Sequence, residues 1–324
     1  MVLGCKNIGI LTSGGDAPGM NAAIRAVVRS ACARGIRTFG IRRGYNGLIN
    51  NDIFEMNLRS VSDIIERGGT VLYTARSPEF TTKEGIRRAV ENCKYMGLDG
   101  LVIIGGDGSI RGAKAFCDTY MKFVCLPGTI DNDIACSEYS IGFDTAMNTA
   151  MNMIDKIRDT AQSHDRCSVI EVMGHRCGDI AVRTGIAVGA TAILIPEVTF
   201  DFKRDIIKRI SFTQKIGKKH FIIIVSEGLR KANDITSEIA KQTGIDSRVT
   251  ILGHVQRGGS PTAMDRLIAS EMGCHAVALL SKGISNKIIS IKNNKIVDID
   301  IDIAIKSHKP FNFKLYEKAL EISI

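Results

Sequence analysis

A chain of 324 residues is long enough for about two domains of ordinary size with a substantial apolar core, which excludes a small stapled fold. Its charge is 43 − 34 = +9, but the basic residues are spread out, with no long Lys/Arg block and no Trp, so small anionic ligands fit better than nucleic acid. Nine cysteines, an odd number without a Cys-x-x-Cys pair, point to reduced, mostly buried thiols in a cytoplasmic protein, and no run approaches the ~18 apolar residues of a membrane span.

In chain order, Met1 to Cys5 has the faint outline of a lipoprotein cleavage box, without the charged leader or apolar stretch that should precede one. Ile8 to Leu11 predicts the first strand. Thr12 to Asn21 follows as a phosphate-type turn that is neither GxGxxG nor GxxxxGK[ST], so no dinucleotide fold or P-loop follows from it. Met20, Ile24, Val27, Val28 and Ala31 share one helix face, stopped by Gly35. Arg25 and Arg29 stand at i and i+4, where like charges cost roughly 0.2–0.5 kcal/mol unless water screens them or an anion joins them; water is the simpler reading. Thr38 to Ile41 predicts a short strand, Gly44-Tyr45-Asn46-Gly47 a loop with an exposed aromatic, and Ser60 to Glu66 a helix. Arg76 lies in the loop Thr74 to Pro78, where it can reach a ligand, and Ile86, Ala89, Val90 and Cys93 line a helix ended by Gly97.

Two stretches then bring carboxylates to strand ends. Leu101 to Ile104 is an apolar strand running into Gly105-Gly106-Asp107-Gly108-Ser109, where glycines let a backbone approach a phosphate and Asp107 can hold Mg²⁺. Phe123 to Leu126 is a second such strand, followed by Pro127-Gly128-Thr129-Ile130-Asp131-Asn132-Asp133. If the backbone stays extended there, Asp131 and Asp133 point to one side, an arrangement suited to a base beside a metal. Taken alone, that stretch is better read as an Asn/Asp turn.

Ile141 to Ile157 predicts a long helix with Met147, Met151 and Ile154 in the core. Val169 to Val172 delivers Met173 to Asp179 to a loop, and Ile193 to Ile195 ends at Pro196. Phe221 to Val225 follows Lys218-Lys219-His220 and delivers Ser226-Glu227-Gly228, while Val249 to Leu252 runs into Gly253 to Pro261, with Ser260 as a helix cap ahead of Pro261. Ile288 to Ile291, Asn293-Asn294 and Ile296-Val297 predict a hairpin. Short apolar strands separated by helices mean mainly parallel sheets covered on both faces, with ligands beyond the carboxyl ends of the strands.

With those residues in place, the sequence resembles the bacterial ATP-dependent 6-phosphofructokinases over essentially its whole length, through Leu11 to Asn21, Ile104 to Ser109, Pro127 to Asp133, Val172 to Asp179 and Leu252 to Pro261. The resemblance implies a phosphofructokinase-like fold of two doubly wound, three-layer αβα domains. A nucleotide domain would comprise residues 1–138 plus about 256–305, and a fructose 6-phosphate domain 139–255 plus about 306–324. It also implies a cytoplasmic homotetramer, with no membrane or nucleic-acid partner. Gly15, Tyr45, Arg76, Ser77, Gly106, Asp107, Gly108 and Ser109 would bind ATP, and Asp107 would hold Mg²⁺. Asp131 would be the base for the sugar 1-hydroxyl, with Thr129, Asp133 and Arg76 supporting the transferred group. Thr129, Ile130, Met173, Gly174, His175 and Glu227 would meet the sugar. Arg166, Arg248, His254 and Arg257 would take its 6-phosphate, the first two from a neighbouring subunit.

Pyrophosphate-using relatives carry an acidic residue in place of Gly108 and a lysine in place of Gly128, so both glycines favour ATP. Arg25, Arg29, Arg158, Lys218 and Lys219 match the family's effector site for ADP or phosphoenolpyruvate. Leu58 and Thr191 depart from it, replacing an arginine and a glutamate, which implies altered regulation. His175 stands where the family has an arginine, and a neutral imidazole stabilises phosphoryl charge less than a guanidinium. Alternatives are a pyrophosphate-dependent enzyme of the same fold, a catalytically weakened sugar-phosphate sensor, and the related NAD or lipid kinases, which lack a counterpart of His254 to Gly259.

Overall fold

The computed structural model describes residues 4–323, so positions 1–3 of the Met1 to Cys5 stretch lie outside the described residues. In chain order the elements are β1 (Asn7–Ser13), α1 (Met20–Cys32), β2 (Arg37–Ile41), α2 (Tyr45–Ile49), β3 (Ile53–Met56), α3 (Lys83–Tyr95), β4 (Gly100–Gly105), α4 (Asp107–Ala113), β5 (Lys122–Pro127) and α5 (Phe143–Ser163). There follow β6 (Cys167–Val172), α6 (Asp179–Ala187), β7 (Ala192–Leu194), α7 (Lys208–Lys215), β8 (Phe221–Ser226), α8 (Ala232–Thr243), β9 (Ser247–Ile251), α9 (Ala263–Ser281), β10 (Lys287–Lys292), β11 (Lys295–Asp300), α10 (Ile301–Lys306) and α11 (Phe313–Glu321). They form two compact units, Met1–Thr145 with Arg257–Lys309 and Ala146–Gln256 with Pro310–Ile324.

The first unit holds a seven-stranded sheet in the order β11-β10-β5-β4-β1-β2-β3. Its interior pairs are parallel, and β3 and β11 close the two edges antiparallel. β1, β4 and β5 are buried almost residue for residue, as strands covered on both faces must be. On one face Leu11, Ile103, Phe123 and Cys125 join Tyr45, Phe80 and Phe116 in a single core. On the other, Ile8, Ile10, Val102 and Val124 are fully buried beneath α1 and α9, which pack on each other. Gly273 lets these helices close up, since a Cβ there would lie 2.8 Å from the Ala26 Cβ. The predicted hairpin forms, and Asn293 and Asn294 both take positive φ (51° and 58°), as a two-residue turn with right-handed strand twist requires.

The second unit holds a parallel four-stranded sheet in the order β7-β8-β6-β9. Val169, Ile223 and Val225 pack against Ile210 of α7 and Ile235 and Ile239 of α8, while α6 and α11 contact the sheet through β7 and β8. Helices thus flank mainly parallel sheets in both units, as expected. Among the described residues no helix is long and apolar enough to cross a membrane. All nine cysteines are free, and five of them are buried.

Several local expectations fail, each for a physical reason. Gly44 to Gly47 is not a loop with an exposed aromatic: Tyr45 opens α2 and is 5% exposed, because its ring stacks on Phe80 at 4.0 Å. Ser60 to Glu66 is not a helix: Asn57 and Ser60 close a capping box around the single 3₁₀ turn Leu58–Val61, and Asp63 turns left-handed at φ 54°. Ser260 does not cap the next helix; its hydroxyl donates to the Glu66 carbonyl, and Thr262 caps α9 by accepting the Asp265 N–H. For the Asp131 stretch the alternative reading holds: it is an Asn/Asp turn, not an extended segment, since Ile130–Asp131 is a turn and Asn132 has φ 51°. Met147 and Met151 are only half-buried; the core side of α5 is Ala146, Ala150 and Ile154 at helical spacing.

Candidate active site

Parallel register brings the ends of β1, β4 and β5 together in the first unit. Ser13 pairs with Gly105, and Gly105 with Pro127. Beyond that row the Gly128 N–H donates to the Gly105 carbonyl at 3.0 Å. The loops bearing Gly15, Asp107 and Asp131 therefore leave from adjacent strand tips, spaced by about 4.8 Å per strand. Gly105 permits this closeness, because a Cβ there would lie 2.4 Å from the Ser13 carbonyl oxygen.

In the first loop Gly14 has φ 87° and its carbonyl accepts the Thr74 hydroxyl at 2.6 Å. Gly15 is packed by Arg257, whose Nη1 would be 2.3 Å from a Cβ at that position and which donates to the Asp16 carbonyl at 3.2 Å. Arg257 therefore contacts the Gly15 turn in this structure. Arg76 is exposed and Ser77 half-buried. In the second loop Asp107 is half-exposed and accepts the Arg111 Nε at 2.6 Å, Gly106 precedes α4 in extended conformation, and Ser109 is buried. The Tyr45 hydroxyl donates to the Ser109 carbonyl at 2.5 Å, so Tyr45 supports this loop from beneath. A Cβ at Gly108 would meet nothing within 4 Å, whereas one at Gly128 would press on Ile104 and Met20 at 3.0 and 3.1 Å.

The third loop is held from several sides. The Asp131 N–H donates to the Thr129 Oγ1 at 3.2 Å, and the Ser140 hydroxyl donates to the Thr129 carbonyl at 2.7 Å. Asn132, 1% exposed, donates through Nδ2 to the Glu138 carbonyl at 3.2 Å, and its own carbonyl accepts from Lys309. Thr129 and Asp131 are buried to 8% and 9% exposure, Asp133 is half-buried, and Ile130 is fully buried and offers a ligand no exposed surface in this structure.

In the second unit the loop after β6 is clasped by two glutamates. Glu227 Oε1 accepts the N–H groups of Gly174 (3.3 Å) and His175 (2.6 Å), and Glu197 Oε1 accepts that of Gly178 at 2.8 Å. Gly174 has φ 144°, and a Cβ there would strike the Cys177 carbonyl at 2.5 Å. Met173 is buried with its N–H on Gln256, and His175 is exposed at φ 53°. Burial pushes the Glu197 carboxyl above its ordinary range, against the pull of the Gly178 N–H. Arg166 and Arg248 share Asp246 through contacts of 2.6 and 3.1 Å; the Arg166 hydrogen bond holds that carboxyl below its ordinary range. His254 is exposed.

Of the expected effector residues, Arg25 is half-buried and Arg29 exposed in the first unit. In the second, the Arg158 guanidinium donates to the Val188 carbonyl and Lys218 to the Thr191 hydroxyl at 3.2 Å. Burial first, then Arg158, pulls the Lys218 ammonium down. Lys219 and Leu58 are exposed. Sequence reasoning missed Asp246, Glu197, Gln256 and Asp265. Only Asp265 left a signal, the Thr-x-x-Asp spacing of a helix start from Thr262.

Glycine turns and carboxylates gathered at adjacent strand tips of a doubly wound sheet define a protein that handles phosphorylated ligands. The profile described as "Phosphofructokinase" matches residues 7–280, and the chain belongs to that family. It is 54% identical over 318 residues to an ATP-dependent 6-phosphofructokinase of Clostridium tetani, covering 98% of this chain and 99% of the relative. Among solved structures it is similar to phosphofructokinase from Saccharomyces cerevisiae, with a TM-score of 0.88 and 35% identity, spanning 98% of this chain but only 48% of the yeast chain. A pyrophosphate-dependent phosphofructokinase from Marinobacter aquaeolei shares the fold, with a TM-score of 0.85 at 18% identity over 98% of this chain and 91% of that one.

Proposed function

We propose that the chain transfers the γ-phosphoryl group of ATP to the 1-hydroxyl of fructose 6-phosphate, releasing ADP and fructose 1,6-bisphosphate. The observation that carries this reading is the adjacency of the Asp107 and Asp131 loops, supported by the near full-length likeness to an ATP-dependent enzyme. The first unit is the nucleotide domain and the second the sugar-phosphate domain. Gly15, Arg76, Ser77 and Gly106 to Ser109 hold the nucleotide, with Tyr45 acting through the Ser109 backbone.

Asp107 fits a magnesium ion, since it offers a half-exposed hard oxygen donor at a strand tip. Among the described residues no cluster of three or more ligating side chains occurs, which suits an ion completed by phosphate oxygens and water. When bound, the ion neutralises charge on the β- and γ-phosphates.

The reaction forms one bond, from the sugar O1 to Pγ, and breaks the bond from Pγ to the β-phosphate bridging oxygen. Asp131 receives the hydroxyl proton. A carboxylate is a weak base for an alcohol hydroxyl in the ground state, so its contribution arises late in the transition state. Thr129 fixes the Asp131 backbone, Asp133 lies beside it, and Arg76 stabilises the transferring group, a task that weighs more on it because position 175 is histidine. Met173, Gly174, His175 and Glu227 orient the sugar, with Ile130 packed beneath the loop that carries Asp131. His254, Arg257, Arg166 and Arg248 take the 6-phosphate, the last two from a neighbouring subunit of a homotetramer. Arg25, Arg29, Arg158, Lys218 and Lys219 bind ADP or phosphoenolpyruvate as effectors, with weakened response. The phosphorylated substrates and free thiols support a cytoplasmic location.

The test is product formation from fructose 6-phosphate and Mg²⁺ with ATP or pyrophosphate at equal concentration. ATP should give fructose 1,6-bisphosphate and pyrophosphate essentially none. Turnover with pyrophosphate alone would overturn the assignment.

A further inference from the structure

We propose that Asp265 is a positioning residue for phosphoryl transfer, fixing from α9 the segment on which the Asp131 loop rests. The proposal rests on the reading of Asp131 as the base. Asp265 has no exposure at all, yet its carboxylate accepts four hydrogen bonds. Oδ1 takes the Tyr139 hydroxyl and the Gly142 N–H, each at 2.8 Å. Oδ2 takes the Thr145 N–H at 2.8 Å and the Thr145 hydroxyl at 2.5 Å. All four donors are neutral, and two of them are backbone groups at the start of α5, where helical N–H groups lack partners of their own. A buried carboxylate satisfied in this way is costly to disturb, because any lost acceptor strands a buried donor. The bond also runs back to its own helix, as the Thr145 hydroxyl accepts the N–H of Thr262, the α9 cap.

The held segment leads directly to the reacting loop. The Ile141 N–H donates to the Pro127 carbonyl at 2.8 Å, and Gly128 forms a bridge with Ile141. Ser140, one residue earlier, donates its single hydroxyl proton to the Thr129 carbonyl at 2.7 Å, with Asn132 Oδ1 at 3.3 Å as the weaker, competing acceptor. The backbone two residues before Asp131 is therefore pinned by Ser140, and Asp265 sets where Ser140 stands. Asp265 also lies beside the first loop through its Cβ and backbone oxygen. A Cβ at Gly19 would lie 2.7 Å from Ile141 and 3.5 Å from the Asp265 Cβ, and one at Gly142 would lie 2.6 Å from Ala17. The Gly14 to Gly19 turn and the support of Asp131 thus meet at Asp265. A helix cap alone would not require that convergence.

The experiment is a double-variant cycle on the full-length enzyme, with kcat and KM measured well below each variant's melting midpoint. Asp265→Asn removes charge and turns an amide N–H₂ towards donors. It should lower kcat about 10- to 100-fold, the scale of a small misplacement of a reacting group, with KM for ATP and fructose 6-phosphate within about threefold of wild type. Asp131→Ala combined with Asp265→Asn should lose little more than Asp131→Ala alone, because Asp265 acts through Asp131. Losses that multiply, or wild-type kcat in folded Asp265→Asn, would overturn the proposal while leaving the base assignment standing. Wild-type kcat in Asp131→Ala would instead overturn the base assignment. If Asp265→Asn does not fold, Tyr139→Phe, which removes one of the four donors, runs the same cycle with a smaller expected fall and the same contrary outcomes.

Discussion

Asp246 carries both expected phosphate arginines, Arg166 at 2.6 Å and Arg248 at 3.1 Å, so one exposed carboxylate orients two cations. Arg166→Ala should raise KM for fructose 6-phosphate roughly 10- to 100-fold with little change in kcat, the scale of one charge-assisted hydrogen bond to phosphate. Asp246→Asn should raise the same KM by no more than about fivefold, because an exposed ion pair is screened. Its pH signature has a definite sign. The folded-state pKa of Asp246 is lowered, chiefly by the Arg166 hydrogen bond, so its stabilisation is present above the unfolded carboxylate value and lost as pH falls through the folded one. The melting-point difference between wild type and Asp246→Asn should be level from pH 8 to 5 and shrink progressively below about pH 4; a difference that grows on acidification would contradict it. Asp246 was invisible in the sequence because its pairing with Arg166 spans 80 positions. Asp107 and Asp131 were legible because each follows an apolar strand closely. Tyr45 was misread because its ring is settled by Phe80, 35 positions later.

At the scale of elements, what matters is how closely β1, β4 and β5 end together. Gly105→Ala would place a Cβ 2.4 Å from a backbone oxygen of β1, and that strand cannot move as a side chain can. The variant should lose about 1–3 kcal/mol of stability, and kcat should fall with it, since the Gly128 N–H on Gly105 begins the Asp131 loop. Gly108→Ala meets open space inside α4 and should melt within a degree or two of wild type or slightly higher. Equal melting points for the two variants would refute the packing argument. The strands were readable because a buried parallel strand is an unbroken apolar run. Helix starts were less so: Ser260-Pro261 has the composition of a cap, yet Thr262, two residues on, has the geometry. Of the two readings of the stretch after β5, extended or an Asn/Asp turn, the turn forms, at the left-handed Asn132 whose carbonyl accepts from Lys309.

In the whole molecule, a net charge of +9 accompanies ligands that are all anions, and two doubly wound units divide the proposed nucleotide and sugar-phosphate tasks. Alternating strands and helices made the parallel sheets legible, whereas the division of tasks came from the family resemblance alone. The tie from α9 back to the start of α5 was not, because it joins residues 120 positions apart. The central claim is that Asp131, beside the Asp107 loop, takes the proton as phosphoryl transfer occurs. The most direct measurement is kcat of Asp131→Ala at saturating ATP, Mg²⁺ and fructose 6-phosphate, alongside both KM values. The account predicts a fall of about 10²–10⁴-fold in kcat with KM nearly unchanged; wild-type kcat in the folded variant would contradict it.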